Sequence, residues 1–249
     1  MSEILVTILT PCYNSGRTIE RTLECIENQT YKNIEYIIVD GGSKDETVEV
    51  IKENAHLFPN GIKWISEKDK GIYDAINKGI TMATGEIVGT MFDEFADNSV
   101  ISKMVQAMER EKCDGVHGNI NYVDKNGKIV RKWRQGQGNI RTGWMPGHPT
   151  LYLKKSVYDT YGLYKTDYKI AADYEFMIRI LKEKKVKLAY IDEVLVHMFY
   201  GENSTSTGGL SSYMASLKEG HRALRENNIH FAWVTDLFRI CRVLLQFLK

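Results

Sequence analysis

Residues 34–43 read IEYIIVDGGS. Apart from Glu35, Ile34–Val39 is an apolar run rich in β-branched and aromatic side chains, the pattern of a strand buried on both faces. It stops at Asp40-Gly41-Gly42-Ser43, which has turn composition. Upstream, Ile4–Thr10 (ILVTILT) is a similar run ended by Pro11. Asn14-Ser15-Gly16 follows, then Thr18–Gln29, where Ile19, Leu23 and Ile26 share one helix face. Downstream, Ser43 or Asp45 would cap a helix carrying Val48, Val50 and Ile51. Lys63–Ser66 reads as a brief strand, Ile72–Met82 as a helix, and Ile87–Phe92 as an apolar strand ahead of the acidic cluster Asp93–Asp97. Strands alternating with helices predict βαβ units: an α/β fold with a mostly parallel, Rossmann-related central sheet flanked by helices. Such sheets bind ligands at the carboxyl ends of their strands. Three polar clusters, Pro11–Asn14, Asp40–Ser43 and Asp93–Asp97, fall there.

The second half changes character. Val116–Val123 and Lys128–Trp133 flank Asp124–Gly127 and predict a β-hairpin, with Asn126-Gly127 as its turn signal. Residues 135–150 are Gly-rich and read as a mobile loop, and so does the polar stretch 201–212. Ala172–Lys182 reads as a helix with Phe176, Ile180 and Leu181 inward. In Phe231–Lys249, apolar residues at helical spacing combine with Arg239, Arg242 and Lys249, so this amphipathic helix packs on the body, on a second subunit or on a membrane surface.

The 249 residues are 43% hydrophobic, enough for one large folded domain with its own core. Lys plus Arg total 33 against 32 acidic residues, so nothing in the bulk charge points to nucleic acid. Cys12, Cys25, Cys113 and Cys241 lie far apart, with no metal-ligand spacing and no disulfide framework, which makes a reducing cytoplasm the default. The N-terminal apolar run is too short for a signal peptide, and no stretch reaches the ~18 apolar residues of a spanning helix.

Three runs, ILTPCYNSGRTIERTLECIENQTY (8–31), YIIVDGGSKDET (36–47) and EKDKGIYDAINKGITMATGEIVG (67–89), resemble the nucleotide-sugar half of family-2 glycosyltransferases. IAADYEFMIRIL (170–181) resembles that family's acceptor-side motif. The resemblance covers roughly residues 4–210 and runs through several motifs in order. It implies a GT-A fold whose residues 1–100 bind a nucleoside diphosphate sugar, most simply UDP-linked. Residues 101–212 would then form the acceptor and catalytic half, and 213–249 a C-terminal helical segment.

The first loop, including Pro11, Tyr13 and Asn14, would wrap the nucleobase and ribose, Tyr13 offering a ring to stack. Asp40 would accept from a base N–H, Asp69 would hold ribose or base, and Lys70 would approach the diphosphate. Asp74 and Asn77 would order the local helix. A divalent cation, Mn²⁺ or Mg²⁺, is expected because the departing diphosphate develops negative charge. The usual D-x-D signature is altered here to Asp93-Glu94, the nearest match for metal ligands and, in Asp93, for a donor contact. Asp97 is the alternative carboxylate, unless it caps the next helix. Asp173 matches the family's base, although Ala172 stands where a Glu is usual, and Arg179 is a helix-face charge or a motif partner. His148 would contact acceptor or diphosphate and His197 the metal or diphosphate; Trp133 and Trp144 would stack on sugars or pack.

The activity implied is an inverting transfer to a saccharide or lipid-linked saccharide hydroxyl, in bacterial surface-polysaccharide synthesis. It would take place in the cytoplasm or peripherally on the inner face of the membrane, by a monomer or a homo-oligomer. The altered acidic motif also admits a catalytically degenerate nucleotide-sugar-binding protein. A nucleotidyltransferase is disfavoured, because Pro-Cys-Tyr-Asn-Ser-Gly is not a basic phosphate loop.

Overall fold

The computed structural model describes residues 3–58, 61–200 and 209–246. Strand β1 (Val6–Cys12) lies between β2 (Ile34–Asp40) and β4 (Ile87–Thr90), and β3 (Ile62–Ser66) lies outside β2. All three pairings are parallel. Helices α1 (Ile19–Glu27), α2 (Thr47–Asn54) and α3 (Ile72–Met82) are the crossovers. Alternate residues of β2 feed opposite layers. Ile37 and Val39 pack with Ile76 and Ile80 of α3, whereas Tyr36 and Ile38 pack with Leu23 and Ile26 of α1.

Beyond β4 the sheet turns mixed. Strand β8 (Tyr152–Lys154) runs antiparallel to β4 and to β6 (Gly115–Val123). Strand β9 (Leu188–Phe199) runs parallel to β6, and the short β5 (Glu94–Phe95) closes that edge antiparallel to β9. Helix α4 (Val100–Glu111) follows β5, with Ser99 N–H and hydroxyl donating to Asp97 at 2.7 and 2.5 Å, so Asp97 holds the helix start. The hairpin forms as expected between β6 and β7 (Ile129–Trp133), with Gly127 N–H donating to Asp124 O at 2.9 Å. On the same face as α3 lie α5 (Lys155–Tyr161), α6 (Ala172–Leu181), α7 (Gly209–Glu226) and α8 (Ala232–Leu245).

Residues 135–150, expected as a mobile loop, are instead packed. Gln135, Ile140, Trp144 and Thr150 are buried, two 3₁₀ turns span Ile140–Thr142 and His148–Thr150, and Trp144 Nε1–H donates to Gln135 O at 2.9 Å. Glycine content suggested mobility, but buried aromatic and amide groups decide the outcome. Of the second stretch, 201–208 lies outside the described residues, and α7 already begins at Gly209. Helix α8 packs on the body, through Thr235 hydroxyl to Arg141 O at 3.0 Å and Arg242 Nε to Thr142 O at 3.0 Å. Among the described residues no helix is long and apolar enough to cross a membrane.

Buried Glu35 knits the parallel half of the sheet together. It accepts from Thr7 hydroxyl on β1 at 2.6 Å, Lys63 on β3 at 2.5 Å, and Thr84 N–H and hydroxyl at 2.8 and 2.7 Å. Burial alone would raise its carboxyl, but these donors outweigh it and lower it to about 2.

Candidate active site

Three loops at the carboxyl ends of β1, β2 and β3 meet. Tyr13 is 60% exposed, its ring uncovered above the sheet edge, and Pro11 is half-buried in β1. Asn14 takes a left-handed φ of 49°, which Asn tolerates better than most residues. Its N–H donates to Ser43 Oγ at 2.7 Å and its Oδ1 accepts from Lys44 N–H at 2.9 Å. Its polar atoms therefore lock the first two loops together. Gly16 N–H and Thr47 N–H both donate to Asp45, at 3.0 and 3.1 Å, which makes Asp45 rather than Ser43 the group holding the start of α2.

Asp40 is completely buried. It accepts from Ser66 hydroxyl at 2.6 Å, Ser43 N–H at 3.0 Å, Gly42 N–H at 3.2 Å and the Ser43 hydroxyl. Burial pushes its carboxyl up, yet these bonds prevail and hold it below the usual range. Both oxygens thus serve the protein's own loops. The adjacent Gly41 leaves room for the third loop: a Cβ there would stand 2.6 Å from Asp69 Oδ2 and 3.3 Å from the Tyr13 ring. Tyr13, Gly41 and Asp69 converge; the sequence marked Gly41 as a turn residue and not as the gap that admits Asp69. Lys70 is exposed beside them, its N–H donating to Asp74 Oδ2 at 3.1 Å. Asp74 acts locally, as expected, but Asn77 does not. It bridges to the second half, donating to Tyr164 O at 2.8 Å and accepting from Tyr164 N–H at 3.0 Å.

Asp173 stands in the first turn of α6, where the helix dipole favours an anion. Its Oδ1 accepts from Tyr174 N–H at 2.8 Å and lies 3.2 Å from the hydroxyl of Tyr73 on helix α3. That hydroxyl has one proton, which it shares with Ile170 O at the shorter distance of 2.6 Å, and burial, reinforced by Asp173, raises the phenol far above the ordinary value. The sequence reading missed Tyr73, although it lies inside the third quoted motif. His148 is half-buried, with its ring near Phe92 and Tyr164 (centroids 5.6 and 5.5 Å apart) and Nε2 3.0 Å from the Tyr164 hydroxyl. Burial lowers its pKa, against the pull of Asp173, so it is neutral at pH 7. Arg179 is structural: it pairs with buried Glu175 at 3.0 Å and caps the carbonyls of Tyr161 and Leu163.

The acidic cluster divides. Burial, chiefly, raises Asp93 to about 6 despite an N–H donated by Phe199, with Glu94 raising it further and Arg21 opposing. Glu94 is paired with Arg21 at 2.5 Å, across the β5–β9 register from His197. Asp97 is taken by Ser99 and Lys103. Among the described residues no three His, Cys, Asp or Glu side chains gather to hold a metal. Glu94 is engaged by Arg21, so Asp93 and Glu94 alone do not make a complete divalent site; an ion there would need donor-phosphate oxygens and water as further ligands.

Asp173 also lines a cleft of about 780 Å³ between β7, residues 143–145, α7 and α8. Trp133 and Trp144 line it as well, the latter nearly buried. It is the only carboxylate lining that cleft among the described residues.

Both the sequence of this chain and its overall fold match known proteins. The family model described as glycosyl transferase family 2 matches residues 7–178. The chain belongs to that family. It is a glycosyltransferase with the GT-A fold. It is 27% identical over 221 residues to a PGL/p-HBAD biosynthesis glycosyltransferase of Mycobacterium bovis, covering 85% of this chain and 81% of the relative. Staphylococcus aureus TarS 1–349 in complex with UDP-GlcNAc superposes with a TM-score of 0.72 at 15% identity, covering 96% of this chain and 72% of that one. This chain spans 43% of the longer TarS chain. The mannosyltransferase PcManGT of Pyrobaculum calidifontis, solved with GDP-Man and Mn²⁺, gives a TM-score of 0.68 at 16% identity, covering 98% of this chain and 75% of that one.

Proposed function

We propose that this glycosyltransferase moves a sugar from a UDP-linked donor to an acceptor hydroxyl with inversion, in the assembly of a bacterial cell-surface glycan. The observation that carries the reading is Asp173, the sole carboxylate of the cleft among the described residues, tied by Tyr73 to the half that would hold the donor. In this reading residues 1–100 hold the donor, 101–212 the acceptor, and 213–249 add helical cover. Tyr13 stacks on the base, while Asp69 accepts from base or ribose over Gly41. Asp40 and Asn14 shape the loops from within, and Lys70 faces the diphosphate.

Asp173 takes the proton of the acceptor hydroxyl as its oxygen bonds to the anomeric carbon. The bond from that carbon to the diphosphate breaks, and the diphosphate keeps the electron pair. Neutral His148 helps exclude water beside Asp173. TarS was crystallised with UDP-GlcNAc and PcManGT with GDP-Man and Mn²⁺, so both nucleotides, with and without Mn²⁺, are the first ligands to compare.

The test is donor turnover with product anomeric configuration read by NMR, alongside UDP affinity. Asp173→Asn should lose about 10²–10⁴-fold in kcat and keep UDP affinity. Near-normal turnover by the folded variant removes Asp173 as base. UDP binding without turnover of any donor by the wild-type chain would instead favour a degenerate binding protein, the reading to which the divided acidic cluster points.

A further inference from the structure

The turn that leads into Asp173 is capped from a distant helix. The first N–H groups of a helix have no partner within it and need an acceptor from elsewhere. Ala171 stands at the N-cap of α6, where its own side chain supplies no acceptor. Glu219 of α7 supplies it instead. Its Oε1 accepts from Lys169 N–H at 3.0 Å, and its Oε2 accepts from Ile170 N–H and Ala171 N–H, both at 2.9 Å. Burial would raise this carboxyl, but the three N–H groups, with Arg222 nearby, hold it below the usual range. One carboxylate thus fixes three consecutive peptide groups, two residues short of Asp173.

The same turn is held from α3. Ile170 gives its N–H to Glu219 and its C=O to the Tyr73 hydroxyl, at 2.6 Å, so both of its backbone polar groups are taken by side chains from other helices. Tyr73 lies in the first turn of α3, two residues after Gly71, whose N–H donates to Asp69 at 2.9 Å. Its ring stacks on Tyr164, with centroids 5.9 Å apart, and Asn77 one turn later bonds both backbone groups of Tyr164. The helix that begins at the Asp69–Gly71 loop therefore also grips the segment that carries Asp173.

Helix α7 is built for this hold along one face. Glu219, Arg222 and Glu226 recur at i, i+3 and i+7, which places them on the same side of the helix. Arg222 pairs with Asp167 and lies over Tyr168, its guanidinium carbon 4.2 Å from the ring centroid. Glu226 accepts from Lys165 and from the Tyr168 hydroxyl, each at 3.0 Å. The three side chains together engage residues 165–171. The family match ends at residue 178, so α7 lies wholly outside it. A displacement of about 1 Å at a reacting group costs on the order of 10²-fold in rate, so the rigidity of this turn bears directly on Asp173.

We propose that Glu219 is a positioning residue for the transfer: from α7 it fixes the 169–171 turn, Tyr73 holds the same turn from α3, and the two together set where the Asp173 carboxylate stands in the cleft. The C-terminal helical segment is then a working part of the active site and more than cover for it. The proposal rests on the reading of Asp173 as the base, and the experiment separates the failure of one from the failure of the other.

The test measures release of nucleoside diphosphate by the full chain from a panel of UDP- and GDP-sugars, with water as the acceptor, alongside thermal unfolding and UDP affinity. Glu219→Gln sets an NH₂ against N–H groups that now donate to a carboxylate. It should lower kcat about 10–10²-fold, with donor KM and UDP affinity within about twofold of the wild type. Tyr73→Phe, which keeps the ring on Tyr164, should show the same split. In an Asp173→Asn background Glu219→Gln should cost less than about twofold, because the group it positions is already gone. An undiminished loss in that background, or a fall in UDP affinity as large as the fall in kcat, would overturn the positioning role and spare Asp173 as base. Hydrogen exchange needs no turnover: the amides of residues 169–173 should exchange faster in Glu219→Gln, and unchanged exchange there would overturn the proposal too. Near-normal turnover by Asp173→Asn, or UDP binding by a wild-type chain that turns over no donor, would sink the transfer reading and this proposal with it.

Discussion

Asp40→Asn separates two roles for the carboxylate beneath the donor loops. If Asp40 is a scaffold, its worth lies in the four bonds it accepts from Ser43, Ser66 and Gly42. An amide of the same shape keeps one oxygen and turns an NH₂ toward the Ser43 hydroxyl and the Cys12 thiol, both of which now donate to Oδ1. A hydrogen bond to an ionised group is worth about 1.5–3 kcal/mol, against about 1 for a neutral pair. Summed over four bonds, and reduced because an amide is less costly to bury than a carboxylate, the expected loss is about 2–3 kcal/mol at pH 7. The pH dependence has a definite sign. The folded-state pKa lies below the ordinary 3.8, so the carboxylate's contribution is complete above that value and fades as pH falls through the folded pKa. Urea unfolding of both proteins at pH 7 and pH 3, with UDP calorimetry at pH 7, measures all of this. The stability gap should be present at pH 7 and shrink at pH 3, with UDP affinity falling as residues 41–43 and Ser66 relax. A variant that unfolds like the wild type but loses UDP affinity refutes the scaffold argument, and Asp40 would then contact the base directly.

Two further outcomes follow from the same loops. Asp93→Asn should stabilise the chain without added cation, because burial raises the carboxyl to about 6 and ionising it at pH 7 opposes folding. The gain should be absent below about pH 4, develop between about pH 4 and 6, and reach about 1 kcal/mol after discounting for partial exposure. Thermal unfolding at pH 4 and 7 reads it, and a variant less stable than the wild type at pH 7 would show that the Phe199 contact matters more than the burial. Gly41→Ala places a methyl 2.6 Å from Asp69 Oδ2, an atom at the end of a side chain that can move aside. The fold should hold while UDP affinity drops about tenfold. Unchanged affinity would remove Asp69 from the donor site.

Local sequence was sufficient wherever the physics is local. The apolar runs at Ile34–Asp40 and Val6–Cys12 form strands within two residues of where they were read, because β-branched residues with no polar alternation must be covered on both faces. Ile72–Met82 is helical over its full expected span, and Asn126-Gly127 does close the hairpin. The motif runs were enough to identify the family, since each keeps its chemistry within a few consecutive residues. Long-range contacts were not legible. Gly-rich 135–150 is packed because Trp144 and Gln135 find partners in it, and Asn77 reaches Tyr164 across 87 positions. The roles of Asp40, Tyr73 and Glu219 turn on which donors and acceptors three-dimensional packing brings within 3 Å or so, and on how much water it removes. Both quantities depend on residues far apart in the chain, so only the tertiary structure decided them.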